Sequence, residues 1–404
     1  MPRSTRLALA LALASAPAAC ADDAAGDGTE ASSSGSGSGS AGSGGATSSA
    51  NTTANTTTVG SADGSSSSSG ADSGGSSSSS SSDGGSSSTG GGEGGGIFEQ
   101  CFGDQFVNAP NLGPDYDQFA PTIGSHCLGT DHQDITDIER VVFLGDSITV
   151  GTPPTLPAEV YRTELADVLT GSFSLSSPDL LWQLYDIFNG TTVVQDSGSF
   201  ASCSKWGART DDLLPPGYQI EDCFPPETRD LRTLVIMTMG GNDISSLTGD
   251  AIDGATEEVL WQEIMDAVAL QRAAVEWLKD PANFPNGSYV VFANMYEFTD
   301  GTGEVMSCDV SGLAGFDQPI PAPDQLAEMV VWANEQYMSI AVDTDSDMIF
   351  LLESFCGHGF QADNPEAPCY RGPGAEVWFD LTCIHPNPTG HDQIVEMFDA
   401  VISE

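Results

Sequence analysis

A hydroxyl is a poor nucleophile until a neighbouring base takes its proton, so a chain that attacks acyl carbons must supply both groups. One serine stands in a suitable place, in Phe143-Leu144-Gly145-Asp146-Ser147-Ile148-Thr149-Val150-Gly151, where an apolar run ends in a glycine that lets the chain turn sharply before Ser147. The histidine in a comparable context is His385, in Cys383-Ile384-His385-Pro386-Asn387-Pro388-Thr389-Gly390-His391, a loop stiffened by two prolines. Acyl transfer also needs donors aimed at the developing oxyanion. Asn242, in Gly240-Gly241-Asn242-Asp243, offers an amide side chain on a tight loop, and Gly207, in Trp206-Gly207-Ala208-Arg209-Thr210-Asp211-Asp212-Leu213, offers a backbone N–H.

The remaining titratable residues read as structural. His126, His132, His358 and His391 are assigned to packing and loop bonding, with His358 the most noteworthy in its Cys356-Gly357-His358-Gly359 loop. Asp146 and Asp243 are read as carboxylates that brace their loops. Asp343-Thr344-Asp345-Ser346-Asp347 begins like a calcium loop, but Met348 replaces the turn glycine and the closing glutamate is missing, so it reads as a solvated turn. No zinc spacing and no phosphate-cradling glycine loop is present, and neither a metal nor a cofactor is expected.

These residues need elements to hold them. Arg140 to Leu144 reads as a buried strand, followed by a helix over about 157–169 with Val160, Leu165 and Val168 or Leu169 on one face. Further strands are expected at 190–195, 234–239, 289–294 and 348–352, with helices over 257–279, 324–342 and 389–402 carrying apolar residues at helical spacing. Strands alternating with helices of this length imply right-handed crossovers and a mainly parallel sheet covered on both faces. Such sheets place their ligands beyond the carboxyl ends of the strands, where three of the chemically interesting segments start.

Taken together, the four segments resemble the SGNH hydrolases, also known as GDSL esterases and lipases. Gly145-Asp146-Ser147 is similar to the family's first block. Gly207 with Thr210 and Asp212-Leu213 is similar to the second, Gly240-x-Asn242-Asp243 to the third, and His385-Pro386-Asn387 with Gly390 to the last, all in the family's order from about Arg140 to the C-terminus. The resemblance implies a flavodoxin-like three-layer α/β/α sandwich on a five-stranded sheet, Ser147 as nucleophile and His385 as its base. It implies an oxyanion hole made by the backbone N–H groups of Ser147 and Gly207 and the side chain of Asn242. One position departs: the family's acid three residues before the histidine is here Thr382, and the nearest carboxylate is Asp380. Either Asp380 reaches the ring, or a main-chain carbonyl near Thr382 holds the imidazole N–H, and the carbonyl is the favoured reading. A carbonyl fixes the tautomer but supports the imidazolium less.

At the scale of the whole chain, Arg3 and Arg6 precede an apolar stretch from Leu7 to about Ala14 that is too short to span a bilayer, which reads as an export signal over residues 1–20. Pro17-Ala18-Ala19-Cys20 resembles a lipobox with Pro17 in place of the usual leucine, so either Cys20 is lipidated or the protein is simply secreted. Residues 21–96 are almost entirely Ser, Gly, Ala, Thr and Asp, with too little to bury, and read as a disordered tether. Residues 97–404 are long enough for one large catalytic domain, in which 97–139 forms a cap. Besides Cys20 there are eight cysteines, an even number that in an exported chain favours disulfides. Proximity suggests Cys101 with Cys127, Cys203 with Cys223, Cys356 with Cys369 and thus Cys308 with Cys383, although sequence leaves the connectivity open. A net charge of −47 with only two lysines excludes nucleic acid and anionic lipid headgroups as partners. The expectation is a monomeric exported ester hydrolase acting on a small acyl ester, a lipid or an acylated glycan, attached to a membrane only through its lipid. The alternative is a surface-displayed module on the same fold that recognises acylated glycans without turning them over.

Overall fold

Val141 and Phe143 point to one side of the first long strand and Val142 and Leu144 to the other, and none of the four is exposed. A strand apolar on both sides needs cover on both, and that requirement sets the architecture. The computed structural model describes residues 96–108, 112–308 and 318–404; the export signal, Cys20 and the tether up to residue 95 lie outside the described residues.

Five parallel strands form the centre: β1 (Arg140–Gly145), β2 (Phe200–Ser202), β3 (Thr233–Thr238), β4 (Ser288–Ala293) and β5 (Asp347–Ile349). Their spatial order is β2-β1-β3-β4-β5, and a two-residue antiparallel strand, Asp196–Ser197, extends the β2 edge to give six strands. The parallel order is that of the flavodoxin-like doubly wound sheet, whose switch point lies between β1 and β3. Helices α1 (Tyr161–Phe173) and α5 (Pro388–Ser403) cover one face, packing Leu165, Leu169, Ile394 and Phe398 against Val141, Phe143, Leu234 and Ile236. On the other face, α2 (Gly241–Ile252), α3 (Glu257–Lys279) and α4 (Pro323–Asp343) bring Leu247, Ile264, Val275, Met329 and Tyr337 onto Val142, Leu144, Val235 and Phe292. The three-layer α/β/α sandwich expected from the sequence is therefore the fold. No helix among the described residues is long and apolar enough to cross a membrane.

The structure corrects three readings. The segment at 190–195 does not enter the central sheet: Thr191–Thr192 pairs with Tyr185–Asp186 in a separate hairpin, and the sheet position is filled by the shorter Phe200–Ser202. Helix α2 begins directly behind Gly240, where the glycines and polar residues gave no helical signal. Finally, Asp343 to Asp347 is not a solvated turn throughout. Asp347 is buried, its Oδ1 accepting from the Thr130 hydroxyl at 2.9 Å and the His132 N–H at 2.7 Å and its Oδ2 from Gln133 at 2.8 Å.

Those bonds tie the segment before β1 to β5, the open edge of the sheet. Gly129 bridges to Ile349, and Phe102 and Tyr116 pack their rings on Phe350, with centroids 5.5 and 5.7 Å apart. An edge covered in this way cannot template pairing with another chain. Disulfides join Cys101 to Cys127, Cys203 to Cys223, Cys308 to Cys383 and Cys356 to Cys369. This is the pairing that proximity suggested, and four disulfides fit an oxidising compartment.

Candidate active site

Ser147 stands two positions past the end of β1, with Asp146 between. Gly145 makes the turn with φ +140°, and a Cβ there would stand 2.4 Å from the Thr238 carbonyl oxygen, so only glycine lets β1 and β3 run this close at their ends. The Gln219 side chain clamps the turn, accepting from the Gly145 N–H at 2.8 Å and donating to its carbonyl at 2.9 Å. Nothing in the sequence around Gln219 marks it, because its role depends on a contact 74 residues away. Asp146 then caps the single helical turn Ser147–Val150, its Oδ1 accepting from the Ile148 N–H at 3.0 Å and from the Thr238 hydroxyl at 3.3 Å. Burial pushes its carboxyl up to about 7.

The fold brings His385 to this turn from the other end of the chain. Its Nε2 lies 3.0 Å from Ser147 Oγ, across 238 positions of sequence. The residue as a whole is half-buried, and burial of its ring pushes the imidazole down to about 4. The loop that presents it is closed on itself: the Asp380 N–H donates to the His385 carbonyl at 2.8 Å, the Tyr296 hydroxyl donates to the Ile384 carbonyl, and Cys383 is tethered to Cys308. Behind it, Asn387 caps α5, its Oδ1 accepting from the Gly390 N–H at 2.9 Å, while its Nδ2 donates to the Val377 carbonyl at 2.7 Å. This is why Asn387 and Gly390 accompany the histidine.

At the position expected to hold an acid or a main-chain carbonyl, the structure has a side-chain hydroxyl. Thr382 Oγ1 lies 3.0 Å from His385 Nδ1 and 2.5 Å from Asp380 Oδ1, so Asp380 reaches the ring only through Thr382. Neither sequence alternative described this arrangement. A hydroxyl in contact with the ring was available in Thr382 itself, but threonine at that place carries no signal until its neighbours are known.

The other two segments meet beside the turn. Asn242, on the first turn of α2, donates from Nδ2 to the Ala208 carbonyl at 2.9 Å. Asp243 accepts from the Thr210 hydroxyl at 2.8 Å and the Thr210 N–H at 3.2 Å, and burial pushes its carboxyl up to about 6. These bonds hold the Gly207 loop against the start of α2. Gly207 has φ +75°, and a Cβ built on it would meet nothing within 4 Å, so the backbone there borders open space. Trp206 steadies the approach, its indole N–H donating to the Gly151 carbonyl at 2.9 Å.

The other histidines lie elsewhere. His391 is buried between α5 and α1, its Nδ1 accepting from the Tyr161 N–H at 3.3 Å. His358 stacks on Trp378 with ring centroids 3.5 Å apart, its Nδ1 bonded to the Glu376 carbonyl. His126 meets Glu404 at 2.8 Å, and His132 binds the Ser346 carbonyl at 2.7 Å. Among the described residues, Glu297, Cys356 and Cys369 are spaced like metal ligands, but the two sulfurs are bonded to each other and offer no thiolate.

No family model and no curated protein matches the sequence. Solved structures of low similarity to the chain include a lipase, an esterase and a drug-metabolising enzyme. They are the lipase Lip_vut3 from a goat rumen metagenome (14% identity, TM-score 0.42, covering 65% of this chain and 97% of that one), a two-domain esterase active on acetylated mannans (13%, 0.36, 66% and 50%), and a gut microbial diltiazem-metabolizing enzyme (12%, 0.40, 67% and 48%). The match spans about half the length of the last two.

Proposed function

We propose that this chain is an exported serine ester hydrolase of the SGNH type, acting on acyl esters of extracellular lipid or polysaccharide through an acyl-enzyme on Ser147. The observation that carries the reading is the 3.0 Å contact between Ser147 Oγ and His385 Nε2 at the carboxyl end of β1, beside the switch point of a parallel sheet. The fold by itself hosts many chemistries, so it is this pair of side chains that points to ester hydrolysis.

Ser147 Oγ attacks the ester carbonyl carbon while His385 Nε2 takes its proton. The negative charge that develops on the carbonyl oxygen is met by the backbone N–H groups of Ser147 and Gly207 and by Asn242 Nδ2, whose amide has a second proton beyond the one given to Ala208. Collapse of the tetrahedral intermediate breaks the bond to the alkoxide, which leaves with the proton from His385. Water, activated by the same imidazole, then releases the acid and restores the serine. Cys20 is the proposed lipid attachment, with residues 21–96 as the spacer that holds the folded part away from the membrane.

The test is hydrolysis of p-nitrophenyl acetate, butyrate and octanoate by the parent and its Ser147→Ala variant, followed by nitrophenolate release. Turnover by the parent alone, lost on the order of 10³-fold or more in the variant, is the expected result. Equal rates in both proteins would overturn the role of Ser147. A folded parent with no turnover would favour the binding-module alternative.

A further inference from the structure

We infer that Thr382 and Asp380 act as a two-residue positioning unit that fixes the tautomer of His385, a threonine hydroxyl passing the influence of a carboxylate one bond further out. The inference rests on the reading of His385 as the base of Ser147, and it concerns what makes that imidazole competent.

A threonine hydroxyl has one proton to give and two lone pairs to offer. Here the proton is committed, because Oγ1 donates to Asp380 Oδ1 at 2.5 Å, within the range of hydroxyl–carboxylate bonds and short even for that class. The same Oδ1 accepts from the Thr382 N–H at 2.7 Å, which locks the carboxylate to the residue it orients. One lone pair of Thr382 Oγ1 faces the His385 N–H at 3.3 Å, and the other faces His385 Nδ1 at 3.0 Å. With its only proton pointing away, the hydroxyl is an acceptor towards the ring. Nδ1 therefore carries the imidazole proton, and Nε2 presents its lone pair to Ser147 Oγ, the tautomer that a general base requires.

Without Asp380 the hydroxyl could rotate and donate to Nδ1, which would place the ring proton on Nε2 and disarm the pair. The carboxylate thus acts at a distance. The titratable groups around the His385 loop are Asp380 on the loop itself, Tyr296, whose hydroxyl bonds the Ile384 carbonyl, Asp146 next to Ser147, and His391 on α5. Tyr296 and Asp146 have other partners, and His391 gives its Nδ1 to Tyr161. Only Thr382 touches Nδ1 among the described residues.

The test compares the full-length parent with Thr382→Val, Thr382→Ser and Asp380→Asn. It uses steady-state hydrolysis of p-nitrophenyl butyrate and the ¹⁵N chemical shifts of the His385 ring, assigned against a His385→Gln spectrum. Thr382→Val should lower kcat on the order of 10²-fold with KM little changed, and should convert the single Nδ1–H tautomer into a mixture. Thr382→Ser should restore both, within about threefold of the parent, and Asp380→Asn should lower kcat about tenfold while its amide oxygen keeps the Thr382 proton turned outward. A Thr382→Val protein with the parent's kcat and tautomer would overturn the inference, as would a Thr382→Ser protein as impaired as Thr382→Val. Should Ser147→Ala prove as active as the parent, the catalytic reading falls, and the tautomer in Thr382→Val decides the positioning role by itself.

Discussion

At the scale of single residues, the contact that matters is a neutral imidazole against a serine hydroxyl. Burial pushes His385 from 6.5 down to about 4, so the ring stays unprotonated, and able to take a proton, well below the usual imidazole range. The pH profile of kcat/KM should accordingly keep its plateau through pH 6 and lose activity only as the pH falls towards that lowered value. An acid limb centred near 6.5 would show a ring far better solvated than the structure has it. Ser147, His385, Asn242 and Gly207 stand out in the sequence because each lies in a short segment whose glycines or prolines fix a turn. Gln219 and the hydroxyl of Thr382 do not, since both act through contacts that an isolated stretch of chain cannot display. A missing acid points to a main-chain carbonyl as the partner of His385, yet the chain meets the need with the Thr382 side chain already in that place.

At the scale of elements, the sequence was most legible where apolar spacing ran long. The helix at 257–279 is observed with those limits, and β1, β3 and β4 lie within a residue or two of their expected positions. It misled where propensity and burial disagree: Val193 and Val194 are β-branched but 47% and 36% exposed on the hairpin, while the true neighbour of β1 is only three residues long. Helices α1 and α5 are joined by a device that gives a pH dependence with a definite sign. His391 is buried against Tyr161, and burial pushes it down to about 3. Its folded-state value lies below the unfolded value of 6.5, so as the pH falls from 6.5 towards 3 the unfolded chain binds a proton that the native site refuses, and stability is lost. Replacing His391 by Gln should destabilise the protein at pH 7, and that deficit should shrink steadily on acidification. Urea midpoints at pH 7 and pH 5 check this; a deficit that grows at pH 5 would mean that the native site holds His391 charged.

For the molecule as a whole, charge sets the conditions of work. Eleven basic residues face 58 acidic ones, giving a net charge of −47, and self-repulsion on that scale is relieved by screening over roughly 10 Å at 0.1 M salt and about 3 Å at 1 M. The midpoint of thermal unfolding should rise by several degrees between 0.01 and 1 M sodium chloride, with sodium and potassium chloride equivalent; a midpoint that is flat or falls would show that the acidic surface is not under strain. The four disulfides, together with the segment that covers the β5 edge, oppose that repulsion from within. The class of fold was readable at this scale from alternation alone, whereas the choice of substrate depends on loops whose side chains carry no pattern.

The central claim is that Ser147 is an activated nucleophile, and covalent labelling addresses it most directly. The oxidised protein would be treated with diethyl p-nitrophenyl phosphate, digested with trypsin and mapped by mass spectrometry. The account predicts one diethylphosphoryl group per chain, on Ser147 within the peptide between Arg140 and Arg162, together with loss of esterase activity and protection from labelling in His385→Gln. A modified group elsewhere, or full inhibition with Ser147 unmodified, would contradict it.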